Sequence, residues 1–335
     1  MQEELDPNKL ESFNYKLDES FIAQVPVEPR ESAKMLKFSA GEISHKHVYE
    51  LVDELNAGDM LVVNDTKVRP ARLNLNKKTG GAAEVLLLEP TGRHLEWHAL
   101  VRPGKRLAPG TVLELEGEPV VEIGQAVDER RIVTLLNEAI IESAGEIPLP
   151  PYIKKNLENN DRYQTVYANR VGSVAAPTAG LHLSDSLIQK IKNKGVLFRK
   201  VELEVGLATF KPITSDKISD HIMHTERYTI APKVWEEIQS ASNVIAVGTT
   251  VVRTLESAAR TGQLSGSTDL FINRGFNWQI IDRLLTNFHV PQSSLLVLVD
   301  SFIGPVWKNL YAEAMKNNYR FLSLGDCMLL DRDNL

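Results

Sequence analysis

Residues 84–136 read EVLLLEPTGRHLEWHALVRPGKRLAPGTVLELEGEPVVEIGQAVDERRIVTLL, and they carry the strongest signal for the fold. Short runs rich in valine and leucine alternate here with turn signals built from glycine and proline. Five of these runs have the length of a strand: Glu84 to Leu88, His98 to Val101, Val112 to Leu115, Val120 to Ile123 and Ile132 to Leu136. Five strands at this spacing predict a small antiparallel β-barrel or sandwich.

The sequence on both sides of this segment has mixed α/β character. His45 to Asn56 has helical periodicity, and Met60 to Val63 has the unbroken apolar run of a buried strand. Further helices are predicted at Asp185 to Lys194, Trp235 to Ser240, Thr250 to Arg260 and Val306 to Asn317, and further strands at Val196 to Glu204, Val244 to Val247 and Leu295 to Val299. The predicted fold is a mixed α/β main domain of residues 1–66 and 148–335, with a small antiparallel β-barrel domain inserted at residues 67–147.

Bulk properties limit the class of protein. The 335 residues are enough for two domains of ordinary size. The net charge of -6 excludes a chain that is basic throughout, so contact with nucleic acid would need a local basic face. Cys327 is the only cysteine, which excludes an intramolecular disulfide and fits a reducing compartment. The acidic N-terminal residues do not resemble a signal peptide and the apolar runs are too short for a bilayer, so we expect a cytoplasmic protein without membrane contact.

The segment from Gly172 to His182, GSVAAPTAGLH, fits neither a helix nor a strand. Its small side chains let the backbone approach a ligand closely, and Pro177 stiffens it. The alternative is a tight structural turn. The chain contains no G-x-G pair and no G-x-x-x-x-G-K, so a ligand that contains a nucleoside would have to be held by other means.

The segment from His221 to Glu226 places two imidazoles, one of them His224, close to a carboxylate. Such a group could bind a metal, as in a metal-dependent hydrolase, although the spacing is not that of H-E-x-x-H and no cysteine is nearby. It could instead act in acid–base chemistry or hold a polar substrate, or it could be an ordinary pair of surface or core histidines. The sequence leaves these alternatives open.

The segment from Gly248 to Ser257 follows a predicted strand and opens a predicted helix. Thr249 or Thr250 could cap this helix, and its free N–H groups together with Arg253 could bind an anion. The alternative is a plain helix cap, with Arg253 paired to Glu256 on the surface.

Two more segments, Thr286 to Pro291 and Thr268 to Leu270, place polar groups beside predicted strands. Ligands of α/β proteins usually lie at the ends of strands, so both segments are candidates for a binding site. Each signal is weak by itself, and a lone histidine such as His289 is more often structural than catalytic.

Basic residues cluster in spite of the acidic total. The clusters considered for contact with nucleic acid comprise Arg102, Lys105, Arg106, Lys154, Lys155 and Arg162. A solvated surface is the ordinary explanation of such clusters. Their position around the small-residue segment also fits contact with the phosphate backbone of a nucleic acid.

Ordered motifs along nearly the whole chain resemble one family. They run from about Phe13 to Leu330 and include Ile22-Ala23-Gln24, Glu28-Pro29-Arg30, Asn64-Asp65-Thr66, Pro70-Ala71-Arg72-Leu73, Val101 to Lys105, Ile147 to Tyr152, Arg162 to Tyr167, Gly172 to His182 and Gly325 to Leu329. Together they resemble the S-adenosylmethionine:tRNA ribosyltransferase-isomerases of queuosine biosynthesis. The resemblance implies an α/β domain into which a β-barrel domain is inserted.

The resemblance also implies an activity. S-adenosylmethionine would donate its ribosyl group and be consumed, so that neither a cofactor nor a metal is implied. The acceptor would be 7-aminomethyl-7-deazaguanine at the wobble position of tRNAs with a GUN anticodon. The product would be epoxyqueuosine in tRNA, with adenine and methionine released.

This chemistry needs a general base, groups that orient the nucleoside and contacts to RNA. His182, His224 and His289 are the candidate bases, and we favour His182. The candidate substrate-binding residues are Ser173, Ala176, Pro177, Thr178, Gly180, Glu226, Thr249, Thr250, Arg253, Asp269 and Asn287. An acidic member of this set could hold a substrate cation, and Arg253 could orient the carboxylate of the methionine moiety.

The chain departs from the family pattern near the candidate site. The family's Leu-His-Val-Gly-Leu-Gly-Thr-Phe is replaced by the segment Leu203 to Phe210, with Glu204 in place of the histidine and Ala208 in place of the second glycine. Val251 replaces the serine of a Gly-Thr-Thr-Ser stretch. These departures motivate the alternative hypothesis of a catalytically silent tRNA-binding protein on the same scaffold.

Overall fold

The computed structural model describes residues 6–155, 157–206 and 212–332. The chain divides into two compact units, one formed by residues 1–67 and 150–335 and the other by residues 68–149. We call them the main unit and the barrel unit. No helix of the described residues is both long enough and apolar enough to cross a lipid bilayer.

The first strands in chain order are β1 (Lys34–Ser39), β2 (Glu42–His47), β3 (Met60–Asn64), β4 (Thr66–Val68), β5 (Arg72–Lys77), β6 (Ala82–Pro90), β7 (Glu96–Arg102), β8 (Val112–Leu115), β9 (Glu118–Val127) and β10 (Arg130–Leu135). The later strands are β11 (Arg170–Ser173), β12 (Leu197–Leu203), β13 (Glu226–Thr229), β14 (Val244–Val247), β15 (Ser265–Thr268), β16 (Arg283–Asn287) and β17 (Cys327–Asp331). The helices are α1 (Ile140–Ala144), α2 (Asp185–Asn193), α3 (Pro232–Ser240), α4 (Thr249–Thr261), α5 (Ser294–Ile303) and α6 (Trp307–Lys316).

The main unit is built on a mixed sheet that has nine strands within the described residues, in the order β15-β13-β12-β3-β14-β16-β17-β1-β2. Strand β3 is parallel to both of its neighbours, β12 and β14. Strand β16 is parallel to β14 and antiparallel to β17. Met60 and Val62 of β3 join one hydrophobic cluster, and Leu61 and Val63 join another. Side chains alternate between the two faces of a strand, so both faces of this sheet are covered.

The structure confirms several predicted elements of the main unit. The predicted strand from Met60 to Val63 is β3, and the predicted helix after Ser184 is α2. The Ser184 Oγ accepts a hydrogen bond from the backbone N–H of Leu187 at 3.1 Å, which satisfies one of the free donors of the first turn. The predicted helices that correspond to α3, α4 and α6 are confirmed as well.

The predicted strand from Leu295 to Val299 is wrong, because these residues lie in helix α5. The side chain of Ser293 caps the helix by accepting a hydrogen bond from the N–H of Leu296 at 3.3 Å. Seven of the ten residues of α5 are buried, and the other three are partly buried. A helix that is buried on all sides has the same unbroken apolar run as a buried strand, so periodicity does not separate the two.

The predicted helix from His45 to Asn56 is also wrong in part. Its first residues complete strand β2, and a 3₁₀ helix at Val48–Glu54 follows. The backbone N–H of His47 donates to the Glu50 carboxylate at 2.7 Å at the start of this turn. Apolar residues three apart fit one face of a 3₁₀ helix as well as one face of an α-helix.

The barrel unit confirms the predicted antiparallel barrel. Its strands close in the order β10-β7-β6-β5-β8-β9 within the described part of the chain. The prediction missed β5, RLNLNK, in which Leu73 and Leu75 are buried while Asn74 and Asn76 are exposed. This alternation is the signal of a half-buried strand, although the segment contains few of the β-branched residues that strands favour.

Candidate active site

A cavity in the main unit lies where four segments meet. These segments are the loop at residues 176–179, the start of α4, the stretch from the end of β16 to the start of α5, and the loop at residues 322–323. The polar side chains of its wall are Tyr152, Thr178, Thr249, Thr250, Thr286, Asn287, His289, Ser293 and Ser323. The parallel strands β14 and β16 both end here, as is usual for ligand sites in α/β sheets.

The small-residue segment forms one wall of the cavity, as its sequence predicts for a loop that approaches a ligand. Pro177 precedes a 3₁₀ turn at Thr178–His182, and the Gly180 N–H donates to the Pro177 carbonyl at 2.9 Å. A Cβ atom at Gly180 would lie 2.0 Å from the Tyr167 hydroxyl, so this position has no room for a side chain. Gly180 therefore shapes the turn and does not line the cavity, whereas Ala176, Pro177 and Thr178 do.

Ser173 supports the loop from behind. Its hydroxyl donates to Thr66 Oγ1 at 2.7 Å and accepts from the Val205 N–H at 3.0 Å. The Ser173 side chain is fully buried and does not line the cavity. We conclude that Ser173 fixes the base of the loop and positions Val205, which does line the cavity.

The N-terminus of helix α4 forms a second wall. Gly248 is its N-cap, with a φ of 91°, and supplies no side chain to the free N–H groups of the first turn. Thr249 and Thr250 line the cavity. The buried hydroxyl of Thr250 has no hydrogen-bond partner within the described residues, which leaves it available to a ligand.

The end of β16 carries a hydrogen-bond network that joins two of the candidate histidines to the cavity. The Asn287 amide nitrogen donates to His182 Nε2 at 3.2 Å, and the Thr178 hydroxyl donates to Asn287 Oδ1 at 3.0 Å. Thr286 Oγ1 lies 3.0 Å from His289 Nε2. His289 lines the cavity, whereas His182 lies beside it in a smaller cleft that Arg30 and Arg162 also line.

Burial keeps both histidines neutral at physiological pH. Desolvation lowers the pKa of His289 to about 3. Desolvation, with smaller contributions from nearby Arg320, Arg162 and Arg30, lowers the pKa of His182 to about 4. A neutral imidazole is the form that can accept a proton, and the same low pKa makes each side chain a weaker base than an ordinary histidine. However, the Nε2 lone pair of His182 is already occupied by the amide of Asn287.

Acid is expected to destabilise this protein as the pH falls from about 6.5 to about 4. An unfolded chain protonates its histidines near the ordinary pKa of 6.5, whereas folded His182 resists protonation until about pH 4. Between these two pKa values the unfolded state therefore binds more protons than the folded state, so the free energy of unfolding decreases as the pH is lowered. Above about pH 6.5 the histidine is neutral in both states, and the effect vanishes. The free energy of unfolding in urea should be measured at about pH 7 and at about pH 5. The loss of this free energy on going to the lower pH should be about 2 kcal/mol smaller for His182→Gln than for the unmodified chain. An unchanged difference would contradict the low pKa.

Glu226 and Arg253 form a buried ion pair and do not line the cavity. The Arg253 guanidinium also donates to the carbonyls of Leu270 at 3.1 Å and Thr268 at 3.2 Å, and the Glu226 carboxylate accepts from the Gly206 N–H at 3.0 Å. These contacts occupy the guanidinium that the sequence suggested for a substrate carboxylate.

The alternative pairing of Arg253 with Glu256 on the surface is wrong. Both residues are buried, and the Glu256 carboxylate accepts hydrogen bonds from the backbone N–H groups of Gln279, Ile280 and Ile281. Glu256 therefore holds the segment that leads into β16, and Arg253 pairs with Glu226 instead.

His224 and Asp269 are exposed and lie outside the cavity wall. Neither side chain is brought to His289 or to the small-residue loop, so the structure does not gather all of the candidates into one site. Within the described ranges no group of three or more histidine, cysteine, aspartate and glutamate side chains is arranged to hold a metal ion.

The basic candidates divide into exposed and buried residues. Arg102, Lys105 and Arg106 are exposed on the barrel unit, and Lys154 and Lys155 are exposed on the main unit. The side chain of Arg162 is only 13% exposed and is ion-paired with Glu28. Its guanidinium nitrogen Nη2 donates to the Val27 carbonyl at 2.8 Å, which holds the side chain against the protein.

The departures from the family pattern fall at different places. Val251 lies on the buried side of α4 in the hydrophobic core, where a valine packs well and a hydroxyl would need a partner. Glu204 is exposed beside the cavity-lining Val205. Ala208 lies outside the described residues. The structure gives no reason to expect that Val251 impairs the site.

Sequence reasoning missed several polar wall residues, namely Tyr152, Ser293 and Ser323. The Tyr152 and Ser323 hydroxyls lie 2.6 Å apart although 171 positions separate them in the chain. Only the fold brings such distant residues together. In contrast, the segment from Thr286 to Pro291 was a candidate in the sequence, and its residues from Thr286 to Val290 do line the cavity.

The loop that carries Ser323 depends on Gly325. A Cβ atom at Gly325 would lie 2.4 Å from the Arg320 carbonyl oxygen and 2.6 Å from the Phe321 carbonyl carbon, and neither backbone atom can move alone. We expect Gly325→Ala to lower the free energy of unfolding by about 1–3 kcal/mol in chemical denaturation. Gly104→Ala is the matched control, because a Cβ there would meet no atom within 4 Å. Equal stabilities of the two variants would contradict this account of the loop.

The fold and the cavity define a class: an α/β protein with a cavity at the ends of parallel strands and with a second unit that is an antiparallel barrel. Within that class, the chain belongs to the family of queuosine biosynthesis proteins, whose profile matches residues 10–330.

Named relatives support this membership. The S-adenosylmethionine:tRNA ribosyltransferase-isomerase of Carboxydothermus hydrogenoformans is 47% identical, over 96% of this chain and 99% of the relative. The protein of the same name from Natranaerobius thermophilus is 43% identical over the same shares of the two chains. The crystal structure of S-adenosylmethionine tRNA ribosyltransferase from Thermotoga maritima is similar with a TM-score of 0.55 and 33% identity, and the match covers 95% of this chain and 99% of that one. These findings give no support to the hypothesis of a silent RNA-binding protein.

Proposed function

We propose that this protein transfers the ribosyl moiety of S-adenosylmethionine to 7-aminomethyl-7-deazaguanine at the wobble position of tRNAs with a GUN anticodon. The ribosyl group is isomerised in the process, which gives epoxyqueuosine in tRNA and releases adenine and methionine. The protein acts in the cytoplasm, and S-adenosylmethionine is a consumed substrate. Relatives that bear this activity in their names, at 42–47% identity over nearly the full length, support the proposal.

The observation that carries the proposal is the cavity in which a neutral histidine faces a wall of small and hydroxyl-bearing side chains. The reaction begins with removal of a proton from the 5′-carbon of the ribose, which the adjacent sulfonium makes acidic. The resulting carbanion drives rearrangement of the ring to an epoxide, and adenine leaves with its bonding electrons. The amine of the acceptor then attacks the same 5′-carbon, and methionine leaves as a neutral thioether.

We assign the first step to His289. Of the three histidines considered, it alone lines the cavity. In the tautomer whose Nε2–H donates to Thr286 Oγ1, the other ring nitrogen, Nδ1, carries the lone pair that takes the proton. His182 acts as a positioning residue, because it accepts a hydrogen bond from Asn287, which is part of the wall.

The exposed basic residues supply the contacts to tRNA in this proposal. Arg102, Lys105 and Arg106 on the barrel unit and Lys154 and Lys155 on the main unit are exposed to solvent. Arg102 and Lys154 form exposed ion pairs with Glu84 and Glu19, which phosphates would replace. Contacts of this kind weaken as salt is added, since they release counterions from the RNA. The affinity for tRNA should therefore fall steeply with ionic strength.

The proposal is tested by incubation of the protein with S-adenosylmethionine and a tRNA that carries 7-aminomethyl-7-deazaguanine. Equal amounts of adenine, methionine and modified nucleoside should be formed, measured by chromatography and mass spectrometry of the digested tRNA. A tRNA with guanine at the wobble position is the control, because it lacks the nucleophilic amine. Binding of the tRNA without adenine release would overturn the proposal.

A further inference from the structure

We propose that the N-terminus of α4, together with the hydroxyl of Thr250, binds the carboxylate of the methionine moiety of S-adenosylmethionine. The inference rests on the proposed function, since it places one end of the substrate in the cavity. It assigns a specificity-determining role to Thr250 and to the backbone of the first turn, and it replaces the sequence-based expectation that Arg253 holds this group.

The helix supplies positive potential where the cavity wall lacks cationic side chains. Among the described residues that line the cavity, no side chain is lysine, arginine, aspartate or glutamate. Arg253, one turn further along α4, is committed to the Glu226 carboxylate. The other source of positive potential in the wall is the start of a 13-residue helix, whose N-cap supplies no side-chain hydrogen bond to the N–H groups of the first turn.

The first turn of α4 lacks the side-chain cap that α2 and α5 have. Ser184 caps α2 and Ser293 caps α5, each by accepting a hydrogen bond from a backbone N–H group. Gly248, the N-cap of α4, has no side chain that could do so. The donors of this turn therefore need another acceptor, and an oxyanion in the cavity would satisfy them.

Thr250 provides the independent observation. Its side chain is only 9% exposed, lines the cavity and has a buried hydroxyl without a partner within the described residues. A buried hydroxyl without a hydrogen bond is costly, so a ligand acceptor at this position would be favourable. A carboxylate has two oxygens, one for the backbone N–H groups and one for the hydroxyl.

The test compares S-adenosylmethionine with its decarboxylated analogue, which lacks only the carboxylate. We expect the unmodified protein to prefer S-adenosylmethionine in kcat/KM for adenine release. Thr250→Val keeps the shape of the side chain and removes the hydroxyl, so it should raise KM for S-adenosylmethionine roughly tenfold and leave the analogue unaffected. Thr261→Val is the control, because Thr261 is exposed at the other end of α4. It should leave KM for both substrates unchanged.

A second variant makes the test independent of any loss of packing. Thr249→Asp places a negative charge at the first position of α4, which favours the helix itself but repels a bound carboxylate. It should reverse the preference, so that the decarboxylated analogue becomes the better substrate. An equal decrease in kcat/KM for both substrates in Thr250→Val would overturn the inference. An unchanged preference for S-adenosylmethionine in Thr249→Asp would overturn it as well.

Calorimetric titration separates this inference from the proposed function. If S-adenosylmethionine binds more tightly than the analogue and Thr250→Val removes the difference, the carboxylate subsite stands even without turnover. If turnover occurs but neither variant alters the preference between the two substrates, the proposed function is supported and the carboxylate-binding site at α4 is contradicted. If S-adenosylmethionine does not bind, both fall.

Discussion

His289→Ala is expected to lower kcat/KM for adenine release by at least about a hundredfold, with little change in the affinity for tRNA. General-base catalysis contributes a factor of this size, and His289 is the candidate imidazole that lines the cavity. Its pKa of about 3 keeps it neutral over the whole working range of pH. The measurement is adenine release under single-turnover conditions, so that product release does not mask the chemical step.

His94→Ala is the control for this experiment, because His94 is an exposed histidine of the barrel unit. It should retain the activity of the unmodified protein. His182→Ala should be less damaging than His289→Ala, since His182 acts through its hydrogen bond to Asn287. A larger loss in His182→Ala would contradict the assignment and return the role of the base to His182.

Arg253→Ala is expected to lower the free energy of unfolding by about 3–5 kcal/mol. The change removes one partner of a buried ion pair and leaves the Glu226 carboxylate buried without its cation. It also leaves the carbonyls of Leu270 and Thr268 without a donor. Denaturant unfolding followed by circular dichroism measures the loss.

The matched control is Arg199→Ala, which breaks a partly exposed ion pair with Glu237 in the main unit. Both partners of this pair are close to 30% exposed, so water replaces the lost contact, and the expected loss of stability is much smaller than that of Arg253→Ala. Similar losses in the two variants would show that the Arg253 pair is not the buried structural contact inferred here.

The sequence predicted the parts of the fold that depend on local signals. The barrel strands between glycine and proline turns, the capped helix after Ser184 and the buried strand at Met60 to Val63 are all present. The helix at Leu295 to Val299 was mistaken for a strand because an element buried on every side loses its periodicity. Tertiary packing decides whether a short apolar run becomes a helix or a strand, and the local sequence pattern does not show that packing.

The candidate site was predicted in part. The small-residue segment was expected near a ligand, and Ala176, Pro177 and Thr178 do line the cavity. Two facts about this site could not be read from the chain: the partner of Arg253 lies 27 positions away, and Tyr152 reaches its partner hydroxyl across 171 positions. Residue type suggests chemistry, but only the fold decides which groups are already paired with one another.

The most direct measurement is a crystal structure of the protein with S-adenosylmethionine bound. We predict electron density for the ligand in the cavity, with the 5′-carbon near His289 and the methionine carboxylate at the first turn of α4. Density for the ligand elsewhere, with the loop at residues 176–179 and the start of α4 unoccupied, would contradict the account.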